Sequence, residues 1–453
     1  MKQEKKVLLS VLVLTLLAGA VFAGGRGQSS PGSASGGQVE LRVLNYFDMT
    51  AANATLEISR VWGDFEKANP DIKLIREDLF NDPFHNKWEA YAAAGQLPDV
   101  IYVWPSGRST TLHTQRLLKD LTSLAKRDGL DKFYTPVSLD PSQQSSGYLA
   151  MIPRAITSSH AFYINNEVLR AAGLSPAKTY AELKAQVPIL KAKGYETVIM
   201  PNQDSWVMQS CLFSMVAGRF CGEGWEQKIL SGQAKFTDPD FVAALNFIKA
   251  LYDDGVINRS SLTTAYGDGI GPFATDKSAY YIDGDWRVGA FITDQSTGQA
   301  VIPPAKQRNY TITVFPDIEG AKFNASTSAI LGTGWAMSAA IPAGSPKEEA
   351  AWKLVKWLSG KEIQTYLLET GGITTPTRTD IDVASLTLEP LSIEASKLGT
   401  KYTRSTIVID GSFEAEVHEP INEGLQAIGM GSQTPQQVAQ AAQRAFDSWK
   451  AKQ

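Results

Sequence analysis

Strand-like runs alternate with amphipathic helical runs from the first patterned residue of this chain, and that alternation limits what it can fold into more than any other feature. Val39–Tyr46 (VELRVLNY) alternates as a strand, and 55–68 carries Leu56, Ile58, Val61, Trp62 and Phe65 at helical spacing before Asn69-Pro70 stops the run. A strand at 72–77, a helix over about 84–94 and an apolar strand at 100–104 follow. The order βαβαβ predicts an α/β fold that opens as a doubly wound parallel sheet. Ligands of such sheets gather at the carboxyl ends of the strands, which here are Tyr46-Phe47-Asp48, the segment 79–82 and Trp104-Pro105-Ser106.

A chain of 453 residues exceeds the usual size of one domain, so two or more lobes with separate cores are expected. The net charge of −4 and the lack of a Lys/Arg run beyond the extreme N-terminus exclude a nucleic-acid partner. At that terminus Lys2, Lys5 and Lys6 precede an apolar stretch over 7–17, and Val21-Phe22-Ala23 places small residues where a signal peptidase reads. The expectation is a signal peptide over 1–23 and a flexible Gly/Ser-rich segment over 24–38. No cysteine lies near the cleavage point, so the mature chain is expected free in the periplasm, without a lipid anchor or a membrane insertion.

Cys211 and Cys221 fit either a disulfide across a short loop or two buried thiols. Each stands among Leu, Phe and Gly with no adjacent base, which argues against a nucleophile. His85, His113, His160 and His418 are scattered and form no ligand cluster, so neither a metal nor a cofactor is expected. The phosphate-binding pattern G-x-x-x-x-G-K-[ST] does not occur, which leaves ATP without a site.

Six segments, in order, share one resemblance: FEKANPDIKL (65–74), AAAGQLPDVIYVW (92–104), FYINNEVLRAAGLSPAKTYAEL (162–183), FATDKSAYYIDGDW (273–286), GTGWAMSA (332–339) and the run 348–378. They resemble the extracellular solute-binding proteins of bacterial ABC importers, specifically the family-1 carbohydrate group related to maltose-binding protein. The resemblance implies a two-lobe periplasmic-binding-protein fold with discontinuous lobes, a hinge of crossing segments and a ligand cleft between the lobes. By position the crossings fall near 152–164, 310–316 and 371–377, giving lobe one as 39–154 plus 315–372 and lobe two as 155–314 plus 373–453. It also implies a monomer that binds carbohydrate without chemistry and docks on transmembrane permease subunits.

A sugar has an apolar C–H face and a rim of hydroxyls, so its site needs flat aromatic rings and planar hydrogen-bonding groups. Asp283-Gly284-Asp285-Trp286 offers both on one turn. The alternative is a core tryptophan beside acids that cap the helix beginning near Arg287. The strand-end rule adds Tyr46, Asp48, Asn81, Asp82 and Trp104, while Gly334 and Trp335 stand in a glycine-rich run able to bring backbone close to a ligand. Asn202, Asp204 and Trp206 make a polar-aromatic loop of the second lobe. By contrast, Trp352 and Trp357 share a helical face with Leu354, Val355 and Leu358, which is the spacing of core.

Two other functions fit parts of this pattern. A glycosidase would set carboxylates beside tryptophan, but Asp283 and Asp285 are too close in sequence to straddle a glycosidic bond, and no motif places an acid opposite them. Ferric binding would use paired tyrosines, but Tyr280 and Tyr281 point to opposite faces of a strand.

Overall fold

A computed structural model describes residues 38–324, 326–401 and 403–452. The expected signal peptide (1–23), and all but Gln38 of the Gly/Ser-rich segment, lie outside the described residues. Strands are numbered along the chain. The first sheet has the order β2 (Ile72–Leu79), β1 (Val39–Tyr46), β3 (Val100–Val103), β13 (Gly334–Met337), β4 (Met151–Pro153). β1 runs parallel to β2 and β3, with Val39 opposite Ile72 and Tyr46 opposite Leu79, so the predicted βαβαβ opening forms as read. β13 inserts antiparallel between β3 and β4, and a strand from far along the chain thereby completes the first sheet.

The core of this lobe joins Leu41, Val43, Ile101 and Val103 to Trp62 and Phe65 of the helical run after β1 and to Trp352, Leu354 and Val355 of helix Pro346–Leu358. Trp352 is fully buried with its indole N–H on Asp128 at 2.9 Å, and Trp357 donates to the Val61 carbonyl at 2.7 Å. Both tryptophans serve packing, as their helical spacing implied.

The second sheet has the order β11 (Tyr310–Thr313), β6 (Ala161–Asn165), β8 (Ser278–Asp283), β7 (Glu196–Ile199). Its helices include Pro239–Asp253, which buries Phe241, Leu245, Ile248 and Leu251 against Phe213, Trp225 and Phe446. A third, small sheet stands between the two cores: β14 (Thr375–Pro376), β5 (Ala155–Ser158), β12 (Ser326–Leu331), β15 (Thr403–Thr406). β5 leads from the first core to the second, and β12 leads back.

The lobe boundaries differ from expectation in two places. The segment 310–316 is no crossing: Tyr310 to Thr313 pair with Asn165 to Phe162 inside the second sheet, and Phe315 and Ile318 pack in the second core. The return crossing is β12, because Leu331, its last residue, packs in the first core. The last boundary also moves, since Ile373 and Ile381 pack with the first lobe and Leu391 with the second. Alternation and proline cannot separate an edge strand from a crossing strand, because both are short and extended.

Cys211 and Cys221 lie on one continuous helical run from Trp206 to Cys221, whose middle is a π-helical stretch at Gln209–Phe213. Ten residues of helix separate their backbones by about 15 Å, far beyond the span a disulfide can bridge. Both are free thiols, and burial pushes each well above the ordinary thiol value. We therefore expect melting curves with and without reductant to coincide, and two thiols to react with an aromatic disulfide reagent only after denaturation. A melting point lowered by reductant would contradict this assignment.

Candidate binding cleft

The first wall of the cleft is built at the ends of β1 and β3. Tyr46 and Trp104 leave parallel strands side by side, with ring centroids 5.1 Å apart and edge to face. Tyr102 and His85 lie 5.4 and 5.2 Å from Trp104, and Tyr46 donates its hydroxyl to Asn81 at 2.8 Å. Four residues after Trp104 comes Arg108, whose guanidinium meets the His85 ring nitrogen at 3.0 Å. Burial, aided by the Arg108 charge, lowers His85 to about 3, so this ring is neutral at physiological pH.

The facing wall grows from the end of β8. Trp286 turns back over Gly284 so closely that a β-carbon there would stand 2.3 Å from the ring, which makes glycine necessary at that position. Its indole donates to the Tyr266 hydroxyl at 2.8 Å. Trp206 completes the wall, 5.0 Å from Tyr266 and 6.4 Å from Trp286, and its own indole nitrogen is buried without a partner. Arg287 lies 4.2 Å over the face of Tyr266.

The two walls approach one another at Gly107 and Arg108. The Arg108 guanidinium lies 5.8 Å over the Trp206 ring and 3.8 Å from the Asp410 carboxylate, both of the second lobe. Gly107 permits this approach, since a β-carbon would fall 1.6 Å from the Asp410 carbonyl oxygen and the residue has φ +57°. Burial raises the Asp410 carboxyl while Arg108 opposes the rise. The cations of both walls are thus matched: Arg108 by Asp410, and Arg287 by Asp283 at 3.5 Å.

A second polar group lies on the first lobe beyond Tyr102. Arg154, directly after β4, stacks 5.0 Å from the Tyr102 ring and donates to its hydroxyl at 2.9 Å, while its Nε is buried and unpartnered. The half-buried Glu57 carboxyl is pushed up by burial and held back by Arg154 and Arg76. The hydroxyl of Tyr366 and the indole nitrogen of Trp62 are likewise buried without partners. Orphaned donors and acceptors of this kind are uncommon in native interiors and suit a hydroxyl-rich solute or ordered water.

Of the residues predicted from sequence, Trp104 packs with Tyr46, which donates to Asn81, on the first lobe, and Trp206 packs with Trp286 on the second. The others are placed differently. Asp283 is fully buried and accepts from Tyr266, Tyr281 and the Gly284 N–H at 3.1, 2.8 and 2.8 Å, so its carboxylate holds the turn together. Asp285 is also buried, accepting from the Ser158 N–H at 3.0 Å and the Thr374 hydroxyl at 2.6 Å. Trp335 sits inside the first core, edge-on to Trp62 at 5.5 Å. Gly334 is required by strand packing, since a β-carbon would lie 2.2 Å from the Ile152 carbonyl oxygen. Asp48 closes a local turn onto Thr50, and Asp82 is exposed at a helix start. Asn202 is interior, and Asp204 accepts from the Tyr266 N–H at 3.1 Å. The phenols of Tyr280 and Tyr281 are bound to Gln186 and Asp283.

Sequence reasoning missed His85, Arg108, Arg154, Tyr266 and Asp410. Only Arg154 and Arg108 carried a readable signal, a cation just past a strand that ends at the cleft.

The sequence profile described as bacterial extracellular solute-binding protein matches residues 62–387. Among solved structures, one reported under xylan utilisation by the thermophilic bacterium Caldanaerobius polysaccharolyticus superposes with TM-score 0.78 at 21% identity, over 90% of this chain and 99% of that one. A chitin oligosaccharide binding protein gives 0.77 at 20% identity, over 91% and 99%. A maltose-bound protein from T. maritima gives 0.72 at 18% identity, over 91% and 100%.

The buried acids predict a pH response. Burial raises Asp285 to about 6, from an ordinary value of 3.8, so the folded protein holds this proton more tightly than the unfolded chain. The contribution of the group to stability is therefore full below about pH 4 and is lost as pH rises through 6. Asp285→Asn, which cannot titrate, should lose this component: the difference in melting temperature between variant and wild type should shift in favour of the variant between pH 4 and pH 7. A difference that stays flat over this range would refute the assignment.

Proposed function

This chain belongs to the bacterial extracellular solute-binding proteins, which bind and do not catalyse, and from that premise we propose that it captures an uncharged oligosaccharide between its lobes and delivers it to the permease of an ABC importer. The observation that carries the reading is the pair of aromatic groups, Trp104 with Tyr46 on one lobe and Trp206 with Trp286 on the other, bridged by Arg108 and its partner Asp410. Rings on both lobes suit the apolar faces of a sugar. The unpartnered groups of Trp206, Arg154 and Tyr366 offer hydrogen bonds to hydroxyls. Relatives of the same fold that are described with maltose, chitin oligosaccharide or xylan utilisation support a carbohydrate.

The mechanism is a change of population. An open form admits the solute, closure removes water from the hydroxyl hydrogen bonds, and the solute stabilises the closed form only by its higher affinity for it. The closed form then docks on the permease from the periplasm, where we place the mature chain after removal of its leader. No helix among the described residues is long and apolar enough to cross a membrane.

A thermal-shift screen of the mature protein against xylo-, chito- and malto-oligosaccharides tests this reading. A solute at about 100 times its Kd should add roughly 2.7 kcal/mol of stability. With the responding sugar, Trp286→Ala should weaken binding by about 1–3 kcal/mol, the worth of one stacked aromatic face. Melting of the ligand-free variant should fall by less than the roughly 3–5 kcal/mol that a fully buried ring would cost. A variant that is badly destabilised yet binds with unchanged affinity would remove Trp286 from the site.

A further inference from the structure

One carboxylate of the first lobe has charged neighbours but no hydrogen-bond partner. Glu57 ends the short helix Ala54–Glu57, and the chain then widens into a π-helical turn over Ile58–Gly63 before the α-helix resumes at Asp64. Turns of this kind are rare and occur frequently at functional sites. Burial raises the Glu57 carboxyl, Arg154 and Arg76 lower it, and Asp78 adds to the rise, yet the carboxylate makes no hydrogen bond or ion pair with another described residue. Arg76 is already engaged: its Nε lies 2.8 and 2.9 Å from the two oxygens of Asp78, which also accepts from Asn45 at 2.8 Å. Arg154 is held by Tyr102, whose hydroxyl it meets at 2.9 Å and whose ring it overlies at 5.0 Å, and that hydroxyl is fixed in turn by Thr333 at 2.5 Å. The Arg154 Nε is left buried and unpartnered. On helix Lys361–Glu369 the Tyr366 hydroxyl is unpartnered too, and its phenol is raised first by burial and next by the Glu57 charge, with Arg60 opposing and Asp294 adding to the rise.

We propose that Glu57, together with Arg154 and Tyr366, is a specificity-determining residue that takes two adjacent hydroxyls of the bound sugar. The chemistry follows from which groups are left over. An anionic solute group would be repelled by Glu57 and Asp78, and an ammonium by Arg154 and Arg76. A hydroxyl suits both signs, since it donates to the carboxylate and accepts from the guanidinium N–H or the phenol. The two oxygens of one carboxylate lie in a plane and can accept from hydroxyls on neighbouring carbons, through charge-assisted bonds that are stronger than neutral ones. Tyr102 ties this polar group to the aromatic one, because its ring lies 5.4 Å from Trp104 and under Arg154. A sugar ring against Trp104 thus has the hydroxyl-binding groups beside it.

The inference rests on the cleft being the sugar site, and the wild-type titration separates the two. Affinities for maltotriose, chitotriose and xylotriose, and ligand-free melting curves, are measured for wild type, Glu57→Gln and Tyr366→Phe. With whichever sugar binds the wild type, Glu57→Gln should bind about tenfold or more weakly, because an amide keeps one acceptor oxygen and no charge. Its ligand-free melting point should hold or rise, since the change removes a half-buried charge that has no hydrogen-bond partner in the protein. A structural carboxylate would show the reverse, a lower melting point at unchanged affinity. Tyr366→Phe removes only an unpartnered hydroxyl and should cost about threefold or more in affinity without loss of stability, and it carries the test if Glu57→Gln fails to fold. Variants that bind a responding sugar like wild type overturn the assignment, leave these groups to ordered water and leave the sugar site standing. A wild type that binds none of the sugars removes both.

Discussion

The pairing of β5 with β12 is the constraint on which the rest of the molecule depends. Ser158 to Ile156 lie antiparallel to Ala329 to Leu331, and through these residues the chain passes from one hydrophobic core to the other and back. Each core is closed by its own sheet and helices, so neither needs the other to bury its apolar face. What joins them is the backbone hydrogen bonding of the small sheet, together with side-chain contacts such as Arg108 to Asp410. Gly332, just beyond β12, has a place for no β-carbon, because one would lie 2.6 Å from the Ala155 carbonyl oxygen.

From that hinge follow the uses of charge. Carboxylates that would be costly to bury alone are satisfied by groups whose positions matter for closure: Asp283 by Tyr266, Tyr281 and Arg287, which hold the aromatic wall, and Asp285 by the crossing segments. Arg108 is shared between lobes, meeting His85 on one and Asp410 on the other, so its charge is not buried alone. The paired acids beside the tryptophan thus shape the cleft without lining it. Their raised pKa values record the cost of that burial.

Much of the fold was legible. The βαβαβ opening, the core tryptophans and the strand ends at Tyr46 and Trp104 follow from periodicity, because apolar spacing reports directly on which face is buried. The cleft was half legible. Large aromatics at strand ends could be found, but a carboxylate near them reads the same in sequence whether it meets a solute or holds a turn. Asp283 and Asp285 show this most clearly, since their roles depend on Tyr266, Ser158 and Thr374, which no local pattern connects to them. His85 and Asp410 had no signal at all, being more than 300 residues apart in sequence and joined only through Arg108.

What the sequence by itself determined is the set of elements and the faces they bury: alternation of period two and of 3.6 sorts strands from helices, and family-like segments in order imply the two-lobe plan. Tertiary structure alone decided which strands cross between lobes, where each lobe begins and ends, and that Cys211 and Cys221 stand too far apart on one helix to pair. It also decided that Arg108, four residues past Trp104, reaches the Trp206 ring and the Asp410 carboxylate of the second lobe. The physical reason is that burial of a side chain is written in its neighbours along the chain, whereas a hydrogen bond or an ion pair is written in whichever distant segment arrives beside it.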